Sequence, residues 1–154
     1  MRTVAAFLMR DPVDRVYSHM RMQIDLEPER FTYAPEVVLE RHHTEEVYSL
    51  RTRYQDTIAT LDEAFAPEDR FIGFYEELFV GDHVRAITDM LGMEHVAPDV
   101  VTRRNQSSPL ASPIPEALAR QVAEHYADTY LAVAARFPDK DLRTLWPHSR
   151  HVLG

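Results

Sequence analysis

Seven uncharged residues near the amino terminus, TVAAFLM (Thr3 to Met9), are followed at once by Arg10, Asp11 and Pro12. An apolar run of that length, bounded by charge, fits a strand covered on both faces, as in a parallel sheet. Asp11 is a residue type that caps helices, and Pro12 suits the first helical position, where its missing N–H costs nothing. Val13, Val16, Tyr17, Met20 and Ile24 then recur at helical spacing, with Asp14, Arg15, Ser18 and Arg21 on the opposite face. The spacing predicts a helix that ends before Pro28. A strand running straight into a capped helix, with one arginine at the junction, restricts the chain to the α/β class.

The remaining punctuation extends that pattern. Residues Leu26 to His43 are irregular, with Pro28 and Pro35, and a short helix fits Glu36 to Arg41. Leu50, Tyr54, Ile58, Leu61 and Phe65 predict one longer helix, ended by APEDR. Phe71 to Phe74 reads as a second strand leading to a helix from about Asp82 to Leu91, with Gly92 at its carboxyl-terminal stop. Residues 93 to 114 read as a loop of a length that is usually functional or mobile. Pro115 to Phe137 predicts a single helix with Leu118, Val122, Tyr126, Leu131 and Ala134 or Ala135 inward, and Trp146 is expected to pack the tail onto the body. No linker or repeat divides residues 1–154, so one domain is expected.

Composition limits what such a domain does. The chain is 154 residues with 45% hydrophobic and 27% charged residues, ordinary for a globular protein. A formal charge of −8 opposes a broad grip on nucleic acid but leaves room for a local basic pocket. Lys140 is the one lysine, and arginine's planar fork suits phosphate and carboxylate. Without cysteine there is no disulfide, zinc–thiolate site or thiol nucleophile. The first apolar run is too short for a signal peptide and is followed by RDPVDR, and no segment has the length of a membrane span, so a soluble, cytoplasmic protein is expected.

Ligands of open α/β sheets collect beyond the carboxyl ends of strands, where helix N–H groups favour an anion. Arg10 occupies that position and Ser18 lies about two turns into the following helix, a pairing able to clamp phosphate. The alternative is an arginine that fastens the junction through Asp11 or Asp14.

RDPVDRVYSHM resembles the motif of PAPS-dependent sulfotransferases that holds the 3′-phosphate of the sulfuryl donor, in which an arginine before an acidic residue and proline is followed by a serine about eight residues on. Arg10 and Ser18 match it. YQDTIATLDEAF, FIGFYEEL and VRAITDMLGM follow in the family's order, and RRNQSSP with YADTYLAVAARF and DLRTLW resembles the endings of bacterial members. The resemblance spans nearly the whole chain. It implies a P-loop-NTPase-like sulfotransferase fold with a partial parallel sheet flanked by helices. It also implies PAPS or PAP as cosubstrate without a metal, and transfer of a sulfuryl group to a hydroxyl or amine acceptor, a small molecule or carbohydrate. By the same resemblance Arg10 and Ser18 hold the 3′-phosphate, Tyr75 flanks adenine, and Arg103 or Arg104 closes over the phosphate. Leu26 to His43 would face the acceptor.

The family's Gly-, Lys- and Ser/Thr-rich loop for the 5′-phosphosulfate has no counterpart, because Gly73, Gly81, Gly92 and Gly154 are isolated and Lys140 lies far along the chain. Its general base also lies upstream of the arginine motif. The chain therefore reads as the C-terminal portion of the fold, and turnover by it alone is not expected. The alternatives are a non-catalytic PAP-binding or protein-interaction remnant, and a scaffold that associates with another chain through an exposed sheet edge.

Other clusters read as ordinary surface. Arg51 and Arg53 fit solvated charges; His42, His43, Glu45 and Glu46 lack the order of a metal site. His148 and His151 read as solvated tail residues, and His19 as a helix-surface histidine. Of Glu76 and Glu77, one is expected to cap the next helix or pair with an arginine. Ser107, Ser108 and Ser112 have no partnered His–Asp pattern.

Overall fold

The computed structural model describes residues 2–78, 82–97 and 113–154. Its elements, in chain order, are β1 (Ala5–Met9), α1 (Pro12–Leu26), α2 (Pro35–His42), α3 (Glu46–Thr52), α4 (Tyr54–Ala64), β2 (Arg70–Phe74), α5 (His83–Leu91), α6 (Glu116–His125), α7 (Ala127–Arg136), α8 (Leu142–Leu145) and α9 (Arg150–Leu153). The fold is mixed α/β, mostly helical, with a two-stranded parallel sheet. Among the described residues no helix is long and apolar enough to cross a membrane. These residues form two compact units, which the chain visits alternately: 2–10 with 54–97, and 11–53 with 113–154.

The first unit holds the sheet. β1 and β2 pair in parallel from Ala5↔Arg70 to Met9↔Phe74. Parallel neighbours need a long connection, and residues 10–69 supply it. Arg2 ties the edges together: Nε donates to Asp69 Oδ1 at 2.5 Å, and its terminal nitrogens donate to the carbonyls of Glu68 (2.9 Å) and Met90 (3.3 Å). Arg70 pairs with Asp62 at 2.8 Å and also donates to the Phe65 carbonyl, closing the end of α4. A side chain at Gly73 would begin 2.7 Å from the Phe71 ring and 2.8 Å from His83, so glycine lets those two rings pack over β2 and any larger residue has to displace them. Gly92 ends α5 with φ +67°, the expected left-handed stop.

One expectation for this unit fails. β1 is not covered on both faces: Met9 is buried, Ala6 is exposed and the residues between are partly covered.

The second unit is helical and holds most of the buried core. α1 packs against α2, α3 and α6, while α9 packs against α6 and α7. Val13, Val16, Tyr17 and Met20 are buried as the spacing predicts, and α1 stops at Leu26. Trp146 is fully buried, with its ring edge-on to Tyr130 at 6.0 Å, so the tail is packed as expected.

Both long helices of the sequence reading are broken. The first divides at Arg53 (φ −76°, ψ 76°) into α3 and α4, and Leu50, expected inward, is 54% exposed. The second divides at Tyr126 (φ −99°, ψ 22°) into α6 and α7. There the Tyr126 hydroxyl reaches the His43 carbonyl at 2.5 Å, a tertiary bond no local pattern reveals. Thr129, Tyr130 and Val133 continue the buried face of Val122 and Tyr126, and Leu131, predicted inward, falls on the opposite face and is 52% exposed.

Candidate functional site

Parallel pairing places equivalent carboxyl ends side by side. Because Met9 pairs with Phe74, the next residues along each strand are Arg10 and Tyr75. The Arg10 guanidinium carbon lies over the Tyr75 ring, 5.7 Å from its centroid. Such a contact adds about 0.5–1 kcal/mol at an exposed site and, more usefully, aligns a planar cation with an aromatic face. Tyr75 opens a 3-10 turn, Tyr75–Glu77, closed by Leu78 N–H donating to the Tyr75 carbonyl at 3.1 Å. The turn leaves the ring 49% exposed. Two residues singled out 65 positions apart in sequence are thus neighbours in one unit.

Tyr54 fixes the backbone beneath this pair. Its hydroxyl donates to the Arg10 carbonyl at 2.8 Å, and its ring stands edge-on to Phe7 at 5.7 Å. Sequence spacing places Tyr54 on an apolar face and gives no signal of the hydroxyl's role. A half-exposed aromatic ring is a group able to stack a flat heterocycle, and a guanidinium is one able to bind an anion in a planar fork.

The start of α1 behaves differently from expectation. Asp11 is the N-cap and Pro12 the first helical residue, as predicted. The Asp11 carboxylate is fully buried, however, and takes donors on both oxygens. Oδ1 accepts from Val13 N–H (3.1 Å) and the Tyr130 hydroxyl (2.5 Å), while Oδ2 accepts from His148 N–H (3.0 Å). The anion at this helix end is the chain's own. Burial pushes the Asp11 carboxyl above its ordinary range, against the pull of Tyr130 and His148. Asp14, 3.6 Å from His148 Nε2, chiefly raises that imidazole, with Asp11 adding to the effect.

Ser18 lies half-buried on α1 in the second unit. Arg103 and Arg104 lie outside the described residues, as do Ser107, Ser108 and Ser112. Arg51 and Arg53 are exposed. Glu77 faces His83 at 3.6 Å, and Asp82 occupies the N-cap of α5.

Three histidines expected in solvent are built into the fold. His43 is 4% exposed, with Nδ1 2.9 Å from the Leu39 carbonyl and its ring edge-on to His125. His148 contributes the backbone donor to Asp11 and stacks with His151 at 6.2 Å. The His151 side chain is nearly covered and faces Glu116 at 3.5 Å. What places the last two inward is the turn of chain behind Trp146, which the tail's composition does not show. His19 is half-buried, edge-on to Tyr48 at 5.2 Å, and burial, with Arg51 and Arg15, lowers its affinity for a proton. His42 Nδ1 pairs with Glu45 at 2.6 Å. Among the described residues no three His, Asp or Glu side chains gather as metal ligands.

No protein-family model, curated protein or solved structure matches the chain.

Proposed function

We propose that this chain binds the adenosine 3′-phosphate portion of PAPS, as part of a sulfotransferase of P-loop-NTPase-like fold that transfers the sulfuryl group to a hydroxyl or amine acceptor. The observation that carries the reading is the contact of Arg10 with Tyr75 at the carboxyl end of paired parallel strands, 5.7 Å from guanidinium to ring centroid. An arginine for phosphate beside an exposed ring for adenine is the combination a nucleotide needs. For Ser18 the support is its interval from Arg10 in the sequence, and for Arg103 and Arg104 the motif alone. Because Asp11 already caps α1, the 3′-phosphate depends on side-chain donors, Arg10 first, more than on the helix end.

Holding the remote phosphate orients the donor. Breaking the S–O bond further requires a base for the acceptor hydroxyl and cationic donors for the leaving phosphate oxygen. Calorimetric titration with adenosine 3′,5′-bisphosphate beside 5′-AMP tests the binding claim. Preference for the bisphosphate is expected, and no binding by the folded chain overturns it. Transfer from radiolabelled PAPS then separates an enzyme from the second reading, a nucleotide-binding remnant.

A further inference from the structure

A cavity of about 180 Å³ opens within the second unit, between the last turns of α1, the segment joining α1 to α2, and the α2–α3 turn. We propose that it binds a neutral, polyhydroxylated ligand of monosaccharide size. The site goes beyond the preceding reading and rests on this cavity alone.

Size comes first. Drug-sized ligands occupy roughly 300–1,000 Å³, so a smaller molecule is indicated. At roughly 30 Å³ per water, the space is that of about six waters, close to one sugar ring.

Charge comes second. The ionised lining groups are Arg30 and Glu45, which offset one another. Each also has a partner within the chain: Arg30 NH1 lies 3.2 Å from Glu27, and Glu45 lies 2.6 Å from His42 Nδ1. A charged ligand would have to break one of these pairs, whereas a neutral one leaves both intact.

Hydrogen bonding comes third. Tyr48, nearly buried, donates its hydroxyl to Gln23 Oε1 at 2.5 Å, so the amide presents its NH2 end as donor. Glu45 adds carboxylate acceptors and His42 a second ring nitrogen. A wholly apolar ligand would desolvate these groups without return. Hydroxyls donate and accept at once, so a polyol can meet both kinds of partner.

Aromatic surface completes the match. Phe31, Tyr33 and Tyr48 line the cavity, offering faces to the C–H side of a sugar ring. Tyr33 is 54% exposed but is held by the Arg41 guanidinium 4.3 Å from its ring centroid, and Arg30 lies 5.4 Å from that of Phe31. The rings on this irregular segment are therefore braced rather than loose.

Saturation-transfer NMR on the full chain, without nucleotide, tests the proposal with glucose, galactose and mannose as probes and with a hexose 6-phosphate and phenol as comparisons. At least one neutral hexose should receive saturation, with binding roughly tenfold weaker in Tyr33→Ala and Gln23→Ala. Tyr33 is exposed, so its truncation spares the fold. The proposal is overturned if no neutral hexose responds with a folded chain, if both variants bind like wild type, or if only phenol or the phosphorylated sugar binds. Since nucleotide is absent, failure here leaves the nucleotide reading standing, and failure of the bisphosphate titration leaves this result standing.

Discussion

Arg10 lies half-buried over a half-exposed tyrosine ring in the first unit, whereas the next residue, Asp11, is sealed from solvent in the second with donors on both carboxylate oxygens. In the sequence the two look like one motif. In the structure they part: Asp11 consolidates the helical unit through Val13, Tyr130 and His148, and Arg10 lies over the Tyr75 ring at the end of the paired strands, where the proposed function has it meet a phosphate. The difference teaches that a charge at a strand–helix junction has to be judged by its partners. A carboxylate whose oxygens are engaged from distant elements is structural, and a cation laid over an exposed ring is a recognition candidate.

The comparison breaks most visibly at Asp11. Asp11→Ala removes the cap and strands the buried Tyr130 hydroxyl and His148 N–H, a cost on the order of 3 kcal/mol in urea denaturation. Asp11→Asn, which keeps an acceptor oxygen, should lose clearly less. Arg10→Ala should change stability by less than about 1 kcal/mol, as expected for a partly exposed residue. Equal destabilisation by the two alanines would erase the distinction.

Tyr75 sharpens the recognition side. If its ring carries adenine, Tyr75→Ala weakens adenosine 3′,5′-bisphosphate binding roughly tenfold, within the about 1–3 kcal/mol of a base–aromatic stack, while Tyr75→Phe binds like wild type. A loss in the phenylalanine variant equal to that in alanine would shift the role from ring to hydroxyl.

The smallest effect concerns pH. Asp14 raises His148 above its ordinary value, so the stabilisation from this pair is fully present below about pH 6.5 and fades as pH rises through the folded value. Burial lowers His19 and His125, and both act with the opposite sign. The useful quantity is therefore the difference between wild type and Asp14→Asn in denaturation midpoint. It should shrink between pH 6 and pH 8; a difference independent of pH contradicts the pairing.

How much of this was legible in the sequence follows the range of the forces involved. Asp11, Pro12 and Gly92 act locally, and each stands where its residue type predicts. The breaks at Arg53 and Tyr126 carry no Gly or Pro. At Tyr126 the break accompanies a hydrogen bond to a carbonyl 83 residues away, which no local pattern reveals, whereas Leu131 lies half a turn from Val122 and so outside the buried face. The site shows the same divide. The residues Arg10 and Tyr75 were readable as types in a motif, and their adjacency followed once the strands were paired in register. The support from Tyr54 and the satisfaction of Asp11 by Tyr130 depend on contacts 44 and 119 residues apart, beyond any local pattern.

The measurement closest to the central claim is the ratio of affinities for adenosine 3′,5′-bisphosphate and 5′-AMP, taken by calorimetry in wild type and in Arg10→Ala. The account predicts a wild-type preference for the bisphosphate of at least about tenfold, as for a charge-assisted phosphate contact, and near-equal affinities in the variant. A preference that survives the loss of Arg10 would contradict it.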